Sequence, residues 1–147
     1  MRTFHTDSPA STEALGCQLA AHVRPGSVVA LFGGMGMGKT VFVRGLAKGL
    51  HATESVSSPT FALVHEYGGT PPLVHFDMYR ISTWEDLLST GFYDYQDLGC
   101  VLAVEWSENI ENALPEDAIR VHIRTGEQPD ERVIEIEGEG FHETSGN

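Results

Sequence analysis

Lysine is almost missing from this chain: Lys39 and Lys48 are the only two in 147 residues. With arginine they make nine bases against twenty-one acids, a formal net charge of -12. Such a surface repels nucleic-acid phosphates at long range and offers few cations for counterion release, so unaided nucleic-acid binding is disfavoured. Cysteine is nearly as rare. Cys17 and Cys100 lack metal-ligand spacing and read as reduced packing residues. Long apolar runs are absent too; residues 28–32 and 101–104 are far too short to cross a bilayer. The opening Met1-Arg2-Thr3-Phe4-His5 lacks a basic region followed by an apolar stretch, so a cytoplasmic location with no membrane association is expected. Seven histidines show no His-x-x-x-His spacing and no cysteine neighbours, which argues against zinc. Trp84 and Trp106 read first as packing residues.

What is present is glycine, sixteen in all, and its placement carries the chemistry. The apolar run 28–32 reads as a strand buried on both faces and leads into Gly33-Gly34-Met35-Gly36-Met37-Gly38-Lys39-Thr40. Residues 39–50 follow with Phe42, Leu46 and Leu50 on one helical face. Strand, glycine loop and helix are the context that the pattern G-x-x-x-x-G-K-[ST] requires. The pattern alone would arise by chance in roughly 0.5% of chains of this length at average composition, and the correct flanks lower that further. The glycines let backbone N–H groups turn inward around phosphates, and the helix start adds its partial positive end. Lys39 then reaches the β- and γ-phosphates, Thr40 offers its hydroxyl to Mg²⁺, and Val41 completes the nucleotide-binding segment.

Around this motif the pattern predicts strands at 3–6, 61–67, 73–77, 101–106, 119–124 and 132–137. A helix capped by Ser11 should carry Leu15, Leu19 and Val23 on one face, and Ser82 with Glu85 has capping-box spacing for a short helix ending before Gly91. The expected fold is α/β, a single P-loop NTPase-like domain over residues 1–147, with a mixed, mostly parallel sheet flanked by helices. Acidic residues crowd the last third, and about 138–147 reads as a flexible acidic tail.

A phosphate loop needs an acid at the end of a neighbouring strand to complete the Mg²⁺ shell and orient water. Both Glu105, after 101–104, and Asp77, after 73–76, fit that description. Neither lysine sits in an Asn-Lys-x-Asp sequence of the guanine-binding kind, so ATP is the expected nucleotide. Adenine contacts are expected from loops near the N-terminal helix or the C-terminal strands.

Further blocks follow the loop: Phe42-Val43-Arg44-Gly45, then Ser58-Pro59-Thr60-Phe61-Ala62-Leu63-Val64-His65-Glu66-Tyr67, His75-Phe76-Asp77-Met78-Tyr79-Arg80, and Val104-Glu105-Trp106. In order and spacing they resemble the signature of the TsaE (YjeE) family of ATPases, over about half the chain. The resemblance implies an Mg²⁺-dependent ATP hydrolase, slow alone, that assists threonylcarbamoyl-adenosine modification of tRNA. It would work with two partner proteins, TsaB-like and TsaD-like, and meet tRNA only indirectly. On this resemblance Thr40 and Glu105 are the Mg²⁺ pair, Thr60 is a switch residue near the γ-phosphate, Asp77 is a carboxylate needed for function, and Trp106 stands beside the acid. One departure is clear: Gly34 replaces the acid that usually follows the first loop glycine, and Met35 and Met37 stand where Leu and Ala are usual. The competing expectation is a small-molecule kinase on the same scaffold, for which the chain shows no obvious lid insertion.

Overall fold

A computed structural model describes residues 1–34, 38–52, 64–78 and 81–138. Met35, Gly36, Met37, Thr60 and the 139–147 portion of the expected tail lie outside the described residues. The elements are β1 (Arg2–Thr6), α1 (Pro9–Leu19), β2 (Val28–Phe32), α2 (Lys39–Gly49), β3 (Val64–Gly68), β4 (Leu73–Asp77), α3 (Trp84–Ser89), α4 (Phe92–Asp97), β5 (Val101–Glu105), β6 (Ile119–Thr125) and β7 (Arg132–Glu137). Short 3₁₀ stretches occupy Ala20–His22 and Ser107–Ala113.

The strands form one seven-stranded sheet in the order β1-β7-β6-β2-β5-β4-β3. Pairings β6/β2, β2/β5 and β5/β4 are parallel, whereas β1/β7, β7/β6 and β4/β3 are antiparallel. Only β7 and β3 therefore run against the other five, so the sheet is mixed and mostly parallel, as the sequence predicts. β2 and β5 are buried at every position, the expected result for central parallel strands covered on both faces.

Alternation along the strands sorts the core into two layers. Val29, Leu31, Leu73, Val101, Ala103 and Val121 face α1 and α2, meeting Leu15, Leu19, Phe42, Val43 and Leu46. Ala30, Val74, Phe76, Leu102 and Val104 face the other way, against Leu87, Phe92 and Ile110. The two helices of the first layer lie very close. A Cβ on Gly45 would collide with the Glu13 carbonyl of α1, and one on Gly16 with the Phe42 carbonyl of α2.

Local signals shifted some boundaries. The cap of α1 lies three residues before the expected Ser11: Ser8 is the N-cap, accepting from the Ser11 amide at 3.1 Å, and Ser11 closes the capping box from inside. Pro9 explains the shift, because at the first helical position its missing N–H costs nothing and its fixed φ suits the helix. The helix stops at Leu19, and Val23 is extended. For α3 the cap is Thr83, which accepts from the Asp86 amide, rather than Ser82 with Glu85. α4, starting after Gly91 at φ 79°, is an addition to the expected elements. Trp84 is 58% exposed and Cys17 is also exposed, against their reading as packing residues. Cys100 is buried, and that burial pushes its thiol pKa up, with Glu66 adding to the effect.

Candidate active site

β2 delivers the chain to Gly33 and Gly34 at the carboxyl end of the sheet, and Gly38 opens α2 from a left-handed conformation at φ 100°. That backbone suits glycine and releases α2 with Lys39 and Thr40 in its first turn. Lys39 is only 4% exposed. Its Nζ donates to the Gly33 carbonyl at 2.7 Å and sits 4.3 Å from the centroid of the Trp106 ring. An ammonium so removed from water needs compensation, which the carbonyl and the negative ring face supply.

Trp106 reaches that position through an uncommon backbone. Immediately after β5 it adopts φ 59°, ψ 41°, the left-handed region that a bulky residue occupies only at a cost of about 1–3 kcal/mol. The neighbouring turn is fastened by Ser107 Oγ donating to Val104 O at 2.8 Å and Asn109 Nδ2 to Met78 O at 2.6 Å. The strain is thus held beside the lysine rather than relieved.

Both acids end parallel strands and are register partners, Asp77 opposite Glu105. By the period-two alternation they share the face of Ala103 and Leu73, on which α2 packs. The acids and the start of α2 therefore stand on the same side of the sheet, at the same end. Glu105 is buried, and Asp77 is half-buried. His75, two residues before Asp77 and fully buried, places Nε2 2.6 Å from Glu105 Oε2. The contact is short but lacks the alignment of a hydrogen bond: His75 Nδ1, His75 Nε2 and Glu105 Oε2 have no aligned hydrogen-bond partner among the described residues. A buried carboxylate oxygen left in that condition fits a cation. No group of three or more His, Cys, Asp or Glu converges among the described residues, so an all-protein metal cage is not on offer there. Mg²⁺ needs only one or two protein ligands plus phosphates.

The structure thus brings Gly33, Gly38, Lys39, Thr40, Glu105, Asp77 and Trp106 to one end of the sheet. Gly34 is exposed, with open space where a Cβ would stand, so no steric constraint enforces glycine in place of an acid. Val41, half-buried, faces a small cavity on the opposite side of the start of α2. His75 is the site residue that histidine spacing did not single out; the usable signal was its position two before Asp77 on a strand.

The family model for the threonylcarbamoyl adenosine biosynthesis protein TsaE matches residues 6–134. The chain belongs to the TsaE family. It is 39% identical to the tRNA threonylcarbamoyladenosine biosynthesis protein TsaE of Bacillus subtilis, covering 89% of this chain and 82% of that protein. To the protein of the same name from Streptomyces coelicolor it is 39% identical, covering 86% and 89%. Its fold resembles the crystal structure of Bacillus subtilis YdiB with a TM-score of 0.75 and 34% identity, over 90% of this chain and 82% of the other. The TsaE match spans every site residue named above.

Proposed function

We propose that this TsaE-family chain binds Mg²⁺·ATP and hydrolyses it slowly, in service of threonylcarbamoyl-adenosine modification of tRNA, with TsaB-like and TsaD-like proteins as its cytoplasmic partners. The observation that carries the reading is the placement of buried Lys39 at the start of α2, beside the paired strand-end acids Glu105 and Asp77. The names of the relatives supply the pathway. No helix among the described residues is long and apolar enough to cross a membrane.

The backbone N–H groups of the glycine loop and the first turn of α2 would receive the phosphates, with Lys39 leaving the Gly33 carbonyl to meet the β- and γ-oxygens. Thr40 and Glu105 would hold Mg²⁺, which when bound offsets the charge developing on the transferring phosphoryl group. Asp77, one strand further out, would orient the attacking water. Thr60 lies outside the described residues, and its switch role is proposed on the family resemblance alone.

Threonylcarbamoyl-adenosine formation reconstituted with the two partners and tRNA tests the pathway. The complete mixture should form the modified base, while omission of this chain, or its replacement by Lys39→Ala, should abolish multiple turnover. That substitution should also weaken binding of a non-hydrolysable ATP analogue by ~2 to 4 kcal/mol in calorimetry. Unchanged modification and affinity within threefold would overturn the proposal.

A further inference from the structure

β4 carries an imidazole on a sheet face whose other residues are apolar. His75 is completely buried, and Leu73, Val101, Ala103 and Tyr67 share its layer under α2. We propose that His75 is a positioning residue for nucleotide binding: its Nε2–H holds the carboxylate of Glu105 in the orientation that meets Mg²⁺. The inference rests on the reading of Glu105 as the acid of the metal shell.

An imidazole placed among such residues loses its water, and only a polar partner offsets that loss. Glu105 stands within reach, its Oε2 2.6 Å from His75 Nε2. Two lone pairs at that distance would repel, so Nε2 is the nitrogen that carries the hydrogen. A small turn of the carboxylate brings the N–H and the oxygen into line, a tightening expected of such contacts when a ligand arrives.

The strand pairing explains why the ring reaches that acid. In the β4/β5 register His75 stands opposite Ala103, and Asp77 opposite Glu105. Ala103 is small, so the ring can lie over β5 toward the carboxylate two residues further on. On the β3 side Tyr67, also fully buried, closes the alternative, its ring centroid 6.1 Å from the imidazole and tilted by 41°. β4 is hydrogen-bonded to a strand on either side, which gives the ring a fixed base.

A glutamate free to turn must lose that freedom each time metal and nucleotide bind. Held by His75, the carboxylate is ordered beforehand, and its remaining lone pairs stay available to a cation. Carboxylates that bind metals are generally hydrogen-bonded in this manner, and losing the partner typically costs ~10- to 100-fold in metal affinity. Mg²⁺ itself takes oxygen ligands, so the imidazole acts through Glu105 rather than on the ion.

Calorimetry with a non-hydrolysable ATP analogue, in Mg²⁺ and in EDTA, reads the metal-dependent part of the affinity. His75→Phe and the smaller His75→Leu remove both nitrogens and should weaken binding in Mg²⁺ about tenfold or more, while the EDTA value stays within twofold. His75→Gln, whose amide can donate from nearly the same place, should recover most of that loss. In a Glu105→Gln background His75→Phe should cost no more than about twofold further, because the residue acts through the carboxylate. Melting curves confirm that each variant is folded. Equal weakening in Mg²⁺ and EDTA would show a merely structural ring and overturn the inference. So would unchanged affinity in the two apolar variants, a His75→Gln no better than they are, or the full loss on top of Glu105→Gln. If Glu105→Gln alone bound the analogue in Mg²⁺ as the unmodified chain does, the metal reading of Glu105 would fail, and this inference with it.

Discussion

Lys39 is nearly sealed from solvent and engaged by one carbonyl and one ring face. The arrangement reads as a resting position: phosphate oxygens would outcompete a neutral carbonyl for an ammonium in a partly desolvated site. Trp106 then loses or changes its cationic neighbour, so its fluorescence should shift when ATP binds. In Trp106→Phe the remaining indole is Trp84, exposed and packed near Tyr93 on the far face, and the signal should vanish. Persistence of the signal would place the reporter elsewhere. The acids separate by burial and partners. Glu105, buried against His75 with an unaligned oxygen, is the acid proposed for the metal shell, so Glu105→Ala should lower Mg²⁺-dependent affinity and turnover together. Asp77→Ala should reduce turnover while sparing nucleotide affinity. Calorimetry and phosphate release on the two variants check this, and the reverse pattern would exchange their roles. Residue types made both acids visible in the sequence as strand-end carboxylates. His75 was not visible in that way, because spacing rules for histidine look along the chain and its partner lies across a parallel strand pair.

Among the elements, α2 is held to the sheet by Phe42, Val43 and Leu46 and to α1 by glycine contacts. The surface pair of Lys48 with Glu13 at 2.5 Å adds little, since Lys48 is largely exposed. Gly45→Ala forces α1 and α2 apart, because the new Cβ meets backbone of α1 rather than a movable side chain. We expect a loss of ~1 to 3 kcal/mol in denaturant unfolding; a change below ~0.5 kcal/mol would show that the helix pair yields freely. Legibility followed the strength of the local signal. β2 and β4 coincide with their expected spans because continuous apolar runs have clear ends, and the alternation of β7 is equally plain. α1 starts earlier than a cap at Ser11 predicts because Pro9 is well suited to the first turn. α4 escaped notice because six residues with one buried side chain, Phe92, carry too little periodicity to register. Which sheet face each acid occupies required the pairing of β4 with β5, which no single strand records.

At the scale of the whole molecule, a charge of -12 with nine bases disfavours direct docking on tRNA and suits a basic protein face. Association with such a partner should weaken as salt rises. Gly34 supplies no acid in the loop, although the backbone there has room for one, so the chain is expected to depend on charges brought by a partner. A missing charge supplied in trans can raise turnover in P-loop enzymes by ~10³ to 10⁵. The central claim is therefore tested most directly by steady-state phosphate release from Mg²⁺·ATP with the chain alone, with the proposed TsaB-like and TsaD-like partners, and with tRNA alone. The account predicts slow release alone, marked acceleration by the partners, and no acceleration by tRNA alone. Strong stimulation by tRNA without the partners, or rapid transfer of phosphate to a small metabolite, would contradict it.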